Sequence, residues 1–368
     1  MKIVFIASGR SIHSYKWINY FSGKHEIVWI STSGFDSKFL KNENIKYFDY
    51  QFSKSNFINS IIGLFKVVLD VKKMDVVHVH YVGFHALITL FLRRIPIVST
   101  AWGSDIVFAE KSKIKTFFLE NYLKKSKLIT CDSRHMKGHI LNLSSNTPVE
   151  LINFGIDTKK FKKTNFDNDL KKELGLNSDH IIISTRNHEQ VYDISTIIKS
   201  VQTVVDTYPS VMFVIAGSGS ITLDLKTEVE NLSLVKNVIF VGGLSNTDIL
   251  RFLSISTVYV SSSLSDGGIA ASTAEAMSAE VPCIITDVVD NSDWVEDGVT
   301  GMLFEAKDSK ELSNKILMLL RDENLRRKIG KNARKSIQES NDIHHEMDKM
   351  NDLYRSLCEL IFYFCVKY

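Results

Sequence analysis

The chain has 368 residues, of which 44% are apolar and 24% are charged, and its mean hydropathy is −0.01. This length exceeds one ordinary hydrophobic core and predicts two domains, and the composition is that of a soluble globular protein. The four cysteines show no C-x-x-C spacing, which excludes a disulfide framework and a zinc knuckle and fits a reducing cytosol.

The formal net charge of +3 is divided unevenly along the chain. Residues 1–150 hold 21 Lys and Arg against 11 Asp and Glu, whereas residues 151–368 hold 24 against 31. This pattern is either chance drift between domains or a basic half that faces an anionic membrane leaflet or a phosphate-bearing acceptor. We expect no nucleic acid partner, because the chain shows no recognised nucleic-acid-binding motif.

The N-terminal sequence MKIVFIASGR predicts a first strand rather than a signal peptide, because its apolar run is short. The longest apolar runs, such as residues 86–92, fall far short of the ~20 residues that span a bilayer. We therefore expect a cytoplasmic protein, with peripheral contact at the inner face of the plasma membrane as a further expectation.

Apolar runs and helical spacing alternate along the first part of the chain. Strands are predicted at 2–7, 26–31, 76–80, 95–100, 128–131 and 150–153, and helices at 14–22, 57–71, 83–92 and 115–125. Short, continuously apolar strands separated by helices predict a parallel sheet buried on both faces.

The charged segment 158–172, TKKFKKTNFDNDLKK, interrupts this alternation and is interpreted as a linker. A second alternating series follows it, and residues 312–368 then predict several helices without a strand. The second series has strands at 180–184, 211–216, 238–241, 257–261 and 282–286 and a helix at 194–208. The fold class is therefore α/β, with two Rossmann-like parallel-sheet domains.

The most informative stretch is residues 261–288, SSSLSDGGIAASTAEAMSAEVPCIITDV. A strand, the pair Gly267 and Gly268, a helix of small residues and a second strand form a βαβ unit. The bare N-terminus of that helix suits a phosphate, and glycines let a ligand approach the backbone. Asp266 and Glu275 suit the hydroxyl groups of a sugar or a ribose. The stretch predicts a phosphate site flanked by polyols.

Several segments together carry a resemblance to a known family. They are LINFGIDTKKF (151–161), FVIAGSGS (213–220), NVIFVGGLSNTDILRFL (237–253), AEAMSAEVPCIITDV (274–288) and WVEDGVTGMLF (294–304). In this order and spacing the chain resembles the GT-B glycosyltransferases of the large retaining family four, over nearly its whole length. The resemblance implies an acceptor domain at 1–160 and a donor domain at 173–345, facing across a cleft. It also implies a C-terminal helix at 346–368 that returns to the first domain.

The family places two acidic residues around the glycine turn. Glu275 matches the second and would bind the donor ribose; the alternative is a solvent-exposed helix residue. The first falls on Gly267, so we expect Asp266 to substitute for it catalytically and to reach the sugar hydroxyls. The alternative for Asp266 is a turn cap.

Arg186 matches the family's cationic residue and would bridge phosphate oxygens with its planar guanidinium, as a catalytic and donor-binding group. The alternative is a structural arginine in a surface ion pair. The family's lysine five residues later is Val191 here. The other donor contacts are expected from the backbone, at Gly267, Gly268, Ile269 and Ala270 for the diphosphate and at Gly242 and Gly243 for the base.

In the N-terminal domain, Gly9 would lie against the donor phosphates and His13 would face the acceptor. Trp102 stands on the acceptor side where the family often has His, and it cannot accept a proton. Asp105 is then the candidate catalytic group near the acceptor or the transferred sugar. The alternatives are a turn-capping Asp105 and a His13 that is only a surface or capping residue.

No metal is expected. His78 and His80 share one face of a strand, but a third ligand cannot be located. Phosphate charge would instead be met by Arg186 and the helix end.

The sequence thus predicts retaining transfer of a hexose or N-acetylhexosamine from a UDP- or GDP-sugar to a hydroxyl of a lipid-linked or polysaccharide acceptor. No cofactor is expected beyond that co-substrate. Two alternatives stay open: a nucleotide-sugar-binding protein with lost or weak catalysis, and a GT-B nucleotide-sugar 2-epimerase.

Overall fold

A computed structural model describes residues 1–31, 33–49, 74–82, 89, 95–103, 105–106, 112–144, 146–266 and 268–367, with side chains described as far as residue 359. The helices expected at 57–71 and 83–92 lie outside the described residues, apart from Thr89. The chain divides into two compact units. One is Met1–Phe154 together with His344–Tyr368, and the other is Gly155–Ile343.

The described strands and helices alternate as follows. The strands are β1 (Lys2–Ile6), β2 (Glu26–Ser31), β3 (Ile45–Asp49), β4 (Val76–His80), β5 (Ile97–Thr100), β6 (Leu128–Cys131), β7 (Val149–Leu151), β8 (Ile181–Ser184), β9 (Met212–Ala216), β10 (Val238–Gly242), β11 (Val258–Ser261), β12 (Cys283–Thr286) and β13 (Met302–Phe304). The α-helices are α1 (Ile12–Ser22), α2 (Lys113–Leu123), α3 (Arg134–Leu143), α4 (Asn168–Glu173), α5 (Ile194–Val205), α6 (Thr222–Asn231), α7 (Asn246–Ile255), α8 (Ala271–Ser278), α9 (Asn291–Trp294), α10 (Ser309–Arg321), α11 (Glu323–Ser340) and α12 (Ile343–Lys367).

The first unit is built on a seven-stranded sheet in the order β3-β2-β1-β4-β5-β6-β7, and every pair is parallel. Its central strands are buried on both faces: Ile3, Val4, Phe5 and Ile6 of β1 are all 0% exposed. The strand order reverses between β1 and β4, and such a reversal leaves a crevice at the carboxyl ends of the two strands.

The second unit contains a six-stranded parallel sheet in the order β10-β9-β8-β11-β12-β13. Here the order reverses between β8 and β11. Apolar side chains of α5, α10 and the strands form one side of its core, and those of α7, α8 and α11 form the other. The prediction of two parallel-sheet α/β domains is confirmed.

The segment expected to be a linker, residues 158–172, instead belongs to the second unit. Phe161 and Leu170 are 3% and 4% exposed in its core. The Arg334 guanidinium donates to the carbonyl oxygens of Phe161 at 3.1 Å and of Thr158 at 3.2 Å. The sequence pattern is charged because only a few apolar side chains are needed to anchor this surface segment.

The C-terminal helix α12 returns to the first unit, as expected for the fold. Its Tyr354 shares a hydrogen bond of 2.5 Å between the hydroxyl and Nδ1 of His78 on β4. Nε2 of His78 is 2.6 Å from Oγ1 of Thr100 on β5, which is 2.7 Å from Oγ1 of Thr130 on β6. This buried row of hydrogen bonds fixes the position of α12 on the sheet, because each polar side chain in it is the hydrogen-bond partner of the next.

We expect Tyr354→Phe to lower the free energy of unfolding by about 1–3 kcal/mol, because it leaves the buried His78 nitrogen without its partner. Scanning calorimetry measures the loss. Tyr20→Phe is the matched control, since the Tyr20 hydroxyl donates to Asp348 of the same helix at 3.2 Å in an exposed position. Equal losses in the two variants would contradict a special role for the buried pair.

Candidate functional site

The site in the second unit lies where β8 and β11 end, at the reversal of strand order. Arg186 follows β8 and Asp266 follows β11, and Nη2 of Arg186 donates to Oδ1 of Asp266 at 2.5 Å. Their side chains are only 9% and 10% exposed. Among the described residues, no backbone N–H donates to the Asp266 carboxylate. The structure therefore joins two of the predicted catalytic residues in an almost buried ion pair.

The Arg186 guanidinium contacts three neighbouring residues, and the N–H donor of its Nε is unused among the described residues. Its Cζ lies 4.4 Å from the ring centroid of Tyr192. Its Nη1 donates to Oγ of Ser272 at 3.3 Å, and the Tyr259 hydroxyl donates to the same oxygen at 2.9 Å. Nε is buried without a hydrogen-bond partner among the described residues. A planar guanidinium whose buried Nε–H is unpaired is suited to an anion that accepts two hydrogen bonds.

The loops that carry the ion pair are tied to each other. The Leu264 N–H donates to the Val191 carbonyl at 2.7 Å, and Oγ of Ser262 donates to the carbonyls of Tyr192 at 3.1 Å and Asp193 at 2.8 Å. Val191, which stands where the family has lysine, is 39% exposed. The position of the missing lysine is therefore open to solvent.

Two glycines after β9 pack closely against the backbone of the loop that carries Arg186. A Cβ at Gly217 would lie 2.3 Å from the Arg186 carbonyl oxygen, and one at Gly219 would lie 2.3 Å from that of His188. Gly217 also has φ of +120°, where side chains are strained. The glycine turn FVIAGSGS thus serves the packing of the loop, a role that sequence reasoning did not assign.

Helix α8 begins beside the ion pair with no side-chain cap and no acidic residue in its first turn. Ala270 is its N-cap residue, Ile269 is half-buried, and Gly268 has φ of +82°. Gly267 lies outside the described residues. Glu275 in the second turn is only 6% exposed, so it is not a solvent-exposed helix residue. Nη1 of Arg186 contacts Ser272 in the first turn of α8, so the guanidinium lies beside the start of this helix.

Gly242 and Gly243, which were expected to contact the nucleotide base, lie at the end of β10. This strand is two positions from β8 in the sheet. Gly242 has φ of +74°, and its carbonyl accepts from the Gly217 N–H at 2.7 Å. A Cβ at either residue would meet no heavy atom within 4 Å. Packing does not require a missing side chain there, which leaves open space beside the backbone.

In the first unit, Asp105 is a buried carboxylate that binds backbone N–H groups. It accepts from Val82 at 2.6 Å, from Trp102 at 3.0 Å and from Ile106 at 3.1 Å. Burial raises its pKa to about 6, against the opposing effect of these hydrogen bonds. This geometry is that of the turn-capping alternative, and a catalytic role for Asp105 stays a prediction.

His13 and Trp102, both expected on the acceptor side, do lie together. Their rings are 5.7 Å apart and perpendicular, and Phe154 lies 4.9 Å from His13 and 5.3 Å from Trp102. Burial, with the nearby charge of Lys16, lowers the pKa of His13, so its imidazole is neutral at neutral pH. Trp102 Nε1 has no hydrogen-bond partner among the described residues. An aromatic surface with an unpaired indole N–H suits a sugar or another amphipathic group.

Gly9 occupies the glycine turn after β1, but its contacts are internal. Its N–H donates to Oγ of Ser31 at 2.8 Å, and its carbonyl accepts from Asp36. A Cβ there would lie 2.3 Å from the Gly34 oxygen and 2.5 Å from the Phe35 ring. Packing against residues 34–35 explains this glycine, and its expected contact with donor phosphates stays a prediction.

His78 and His80 are core residues of the first unit. His78 is bound to Tyr354 and Thr100, and Nδ1 of His80 lies 3.4 Å from Oγ of Ser14. Burial lowers the pKa of both imidazoles, that of His80 to about 3. The described part of the chain holds no group of three or more His, Cys, Asp or Glu side chains that could bind a metal.

Comparison with known proteins identifies the family. Residues 2–133 match the family described as glycosyl transferase 4-like, and residues 166–336 match glycosyl transferases group 1. The chain is 27% identical over 275 residues to N-acetyl-alpha-D-glucosaminyl L-malate synthase of Bacillus anthracis, covering 73% of this chain and 71% of that protein. The UDP-Gal:alpha-D-GlcNAc-diphosphoundecaprenol alpha-1,3-galactosyltransferase of Escherichia coli is 27% identical over 311 residues, 81% and 79% of the two chains.

Solved structures agree on the architecture. HepE of Anabaena in complex with UDP has a TM-score of 0.84 at 18% identity, covering 97% of this chain and all of that chain. Sucrose-phosphate synthase from Thermosynechococcus elongatus has a TM-score of 0.78 at 17% identity, covering 97% and 99%. The fold is GT-B. The chain belongs to the group 1 glycosyl transferases and is a glycosyltransferase.

We expect Gly217→Ala to cost about 1–3 kcal/mol of stability, since it combines a strained φ with a clash against the Arg186 carbonyl. It should also weaken binding of UDP or GDP, because the Arg186 loop must move. Calorimetric unfolding and titration with the nucleotides measure both effects. Gly138→Ala, in α3 with no heavy atom within 4 Å of the added Cβ, is the control and should be neutral or stabilising. Unchanged stability and affinity in Gly217→Ala would contradict this role of the turn.

Proposed function

We propose that this glycosyltransferase moves a hexose or N-acetylhexosamine from a UDP- or GDP-sugar to a hydroxyl of a bacterial glycan intermediate. The observation that carries the proposal is the buried Arg186 with an unused donor, at the β8/β11 reversal and beside the uncapped start of α8. A guanidinium and a row of free helix amides together form a site for a diphosphate. The structures of HepE in complex with UDP and with UDP-glucose support the donor class.

The donor would lie along the carboxyl edge of the second sheet. Its diphosphate would accept from Arg186 and from the amides of Gly268, Ile269 and Ala270. The Glu275 carboxylate, buried in the second turn of α8, would bind the ribose hydroxyls. The open space beside Gly242 and Gly243 would hold the base against the backbone. Only oxygen and nitrogen donors and acceptors of the chain are needed, so no metal is proposed.

Transfer would proceed with retention of configuration at the anomeric carbon. The bond between that carbon and the diphosphate oxygen breaks, the acceptor oxygen attacks on the same face, and the acceptor proton passes to the departing diphosphate. Arg186 and the α8 amides would stabilise the diphosphate charge that develops. No strong base is required, which fits Trp102 in the position where the family often has His.

The acceptor would be lipid-linked or a polysaccharide. The Escherichia coli relative is named for a diphosphoundecaprenol acceptor. The poly(ribitol-phosphate) alpha-N-acetylglucosaminyltransferase of Staphylococcus aureus is 29% identical over 164 residues, 44% of this chain and 33% of that protein. Both acceptors named there are anionic phosphate compounds, which suits the excess of Lys and Arg in residues 1–150. His13, Trp102 and Phe154 would receive the accepting sugar.

We expect Arg186→Ala to weaken binding of the cognate nucleotide sugar by about tenfold to a hundredfold, the usual size of a lost charged hydrogen bond. Calorimetric titration with a panel of UDP-, GDP-, ADP- and CMP-sugars identifies the donor in the wild type first. Arg251→Ala is the matched control, because Arg251 also forms an ion pair, with Asp167 at 2.7 Å, elsewhere in the same unit. Arg186→Lys keeps the charge and tests whether the planar fork is needed.

No binding of any nucleotide sugar to the wild type would overturn the proposed donor site. Equal affinities for wild type and Arg186→Ala would remove Arg186 from it.

We expect Asp266→Asn to separate nucleotide binding from transfer. Removing the carboxylate takes a competing anion away from Arg186, so UDP or GDP alone should bind as tightly or more tightly. Transfer should fall about tenfold or more, because a carboxylate acceptor for the sugar hydroxyls is lost. Titration and product formation give the two numbers, with Asp167→Asn as control. Weaker nucleotide binding with unchanged transfer would contradict the assignment.

Product analysis decides between transfer and the alternatives. Nuclear magnetic resonance of the product sugar reports its anomeric configuration, and inversion would contradict the retaining mechanism. Binding without transfer or hydrolysis would favour a nucleotide-sugar-binding protein, and a donor changed at C2 would favour an epimerase.

A further inference from the structure

Helix α2 of the first unit presents an apolar face to solvent. Ile114, Phe117 and Phe118 are 72%, 62% and 60% exposed, and the two phenylalanine rings are 6.0 Å apart. Their spacing of three and four residues places all three on one side of the helix. We call these three residues the docking face.

The docking face is not the side by which α2 joins the core. Leu119, Tyr122 and Leu123 are buried at 6%, 6% and 0% exposure and belong to the hydrophobic core of the first unit. The helix is thus apolar on two sides, and one of them is exposed. Single exposed apolar residues are ordinary, as with Leu223 at 77%, which has no exposed apolar residue at i+3 or i+4 in α6. A group of three is a candidate contact surface.

Positive charge surrounds this face. Residues 111–127 contain six lysines and one acidic residue, Glu120, which lies 3.9 Å from Lys124. Lys113 and Lys115 are exposed and lie about 100° to either side of Ile114 around the helix. Long lysine side chains in such positions reach outward past an apolar surface with their ammonium groups. Apolar residues flanked by lysines are the pattern of a helix that lies in the headgroup region of an anionic bilayer.

The topology places this face at the functional edge of the first sheet. Helix α2 follows β5 and leads back to β6, and both strands run in the same direction. The helix therefore starts at the carboxyl edge of the sheet and runs toward the amino edge. Ile114, Phe117 and Phe118 lie in its first two turns, on the same edge as Trp102. A bilayer at the docking face would present its headgroups at the acceptor side of this unit.

We propose that the docking face of α2 binds the surface of an anionic membrane and thereby brings a lipid-linked acceptor to the acceptor side. The proposal rests on the proposed function for its biological purpose, but the binding itself does not depend on the donor. Ile114, Phe117 and Phe118 enter the headgroup region, and the flanking lysines pair with lipid phosphates. The contact is peripheral, since no helix in the described part of the chain is long and apolar enough to cross a bilayer.

Vesicle sedimentation of the full chain tests the proposal. The wild type should bind vesicles of phosphatidylethanolamine with phosphatidylglycerol, should bind phosphatidylcholine vesicles weakly, and should release as salt rises. Phe117→Ser with Phe118→Ser, and separately Lys113→Gln with Lys115→Gln, should each lower the partition coefficient by about tenfold or more. Leu223→Ser removes an equally exposed apolar side chain elsewhere and Lys335→Gln removes an exposed lysine elsewhere, and both should bind like the wild type. Circular dichroism confirms that each variant is folded.

The other outcomes each have a meaning. Vesicle binding that is equal in the wild type and in both double variants overturns the proposal. A wild type that ignores vesicles but forms dimers in sedimentation velocity, which Phe117→Ser with Phe118→Ser abolishes, also overturns it and assigns the face to a second copy of the chain. Donor titration is measured on the same samples. If the wild type binds the donor but not vesicles, only the membrane inference is overturned. If the wild type binds vesicles but no donor, the proposed function is rejected and the membrane contact stands.

Discussion

Parallel pairing of buried strands is the constraint on which both units depend. When every strand runs in one direction, all carboxyl ends meet at one edge, and the crossover helices begin there. The faces of the sheet are mostly apolar, with a few buried and hydrogen-bonded exceptions such as His78 and Thr100, so most polar side chains lie in the loops at the edges. Arg186, Asp266, Trp102 and Asp105 all stand in such loops. Strand direction alone therefore places the candidate site residues of each unit at the carboxyl edge of its sheet.

The Arg186–Asp266 pair shows how such an edge is kept stable without a ligand. A guanidinium at 9% side-chain exposure needs a counter-charge, and Asp266 supplies it while Tyr192 covers the planar face. The same carboxylate would compete with an arriving diphosphate. The ion pair neutralises both side chains and holds together the two loops that carry them.

The sequence predicted the βαβ unit at 261–288 closely, because its apolar strands and small-residue helix are continuous. It missed β3 and β13, which are edge strands of the two sheets. Polar residues obscure the alternation in β3, and β13 has only three residues. Among site residues, the approach of Arg186 to Asp266 could not be read from spacing, since 80 residues separate them. The motif positions of Gly9 and Gly217 were visible in the sequence, but only the structure shows that neighbouring atoms of the chain lie where a Cβ of either residue would be.

Helix α12 gives the first unit a discontinuous chain. The hydroxyl of Tyr354 meets His78 across 276 residues, and the whole second unit, Gly155–Ile343, is encoded between them. On the ribosome, the strands of the first sheet emerge before Tyr354, the partner of His78, has been synthesised. The second unit is one continuous segment and can fold as soon as it has emerged. Domains ordinarily fold in order of synthesis. Here the half that is made first is finished last.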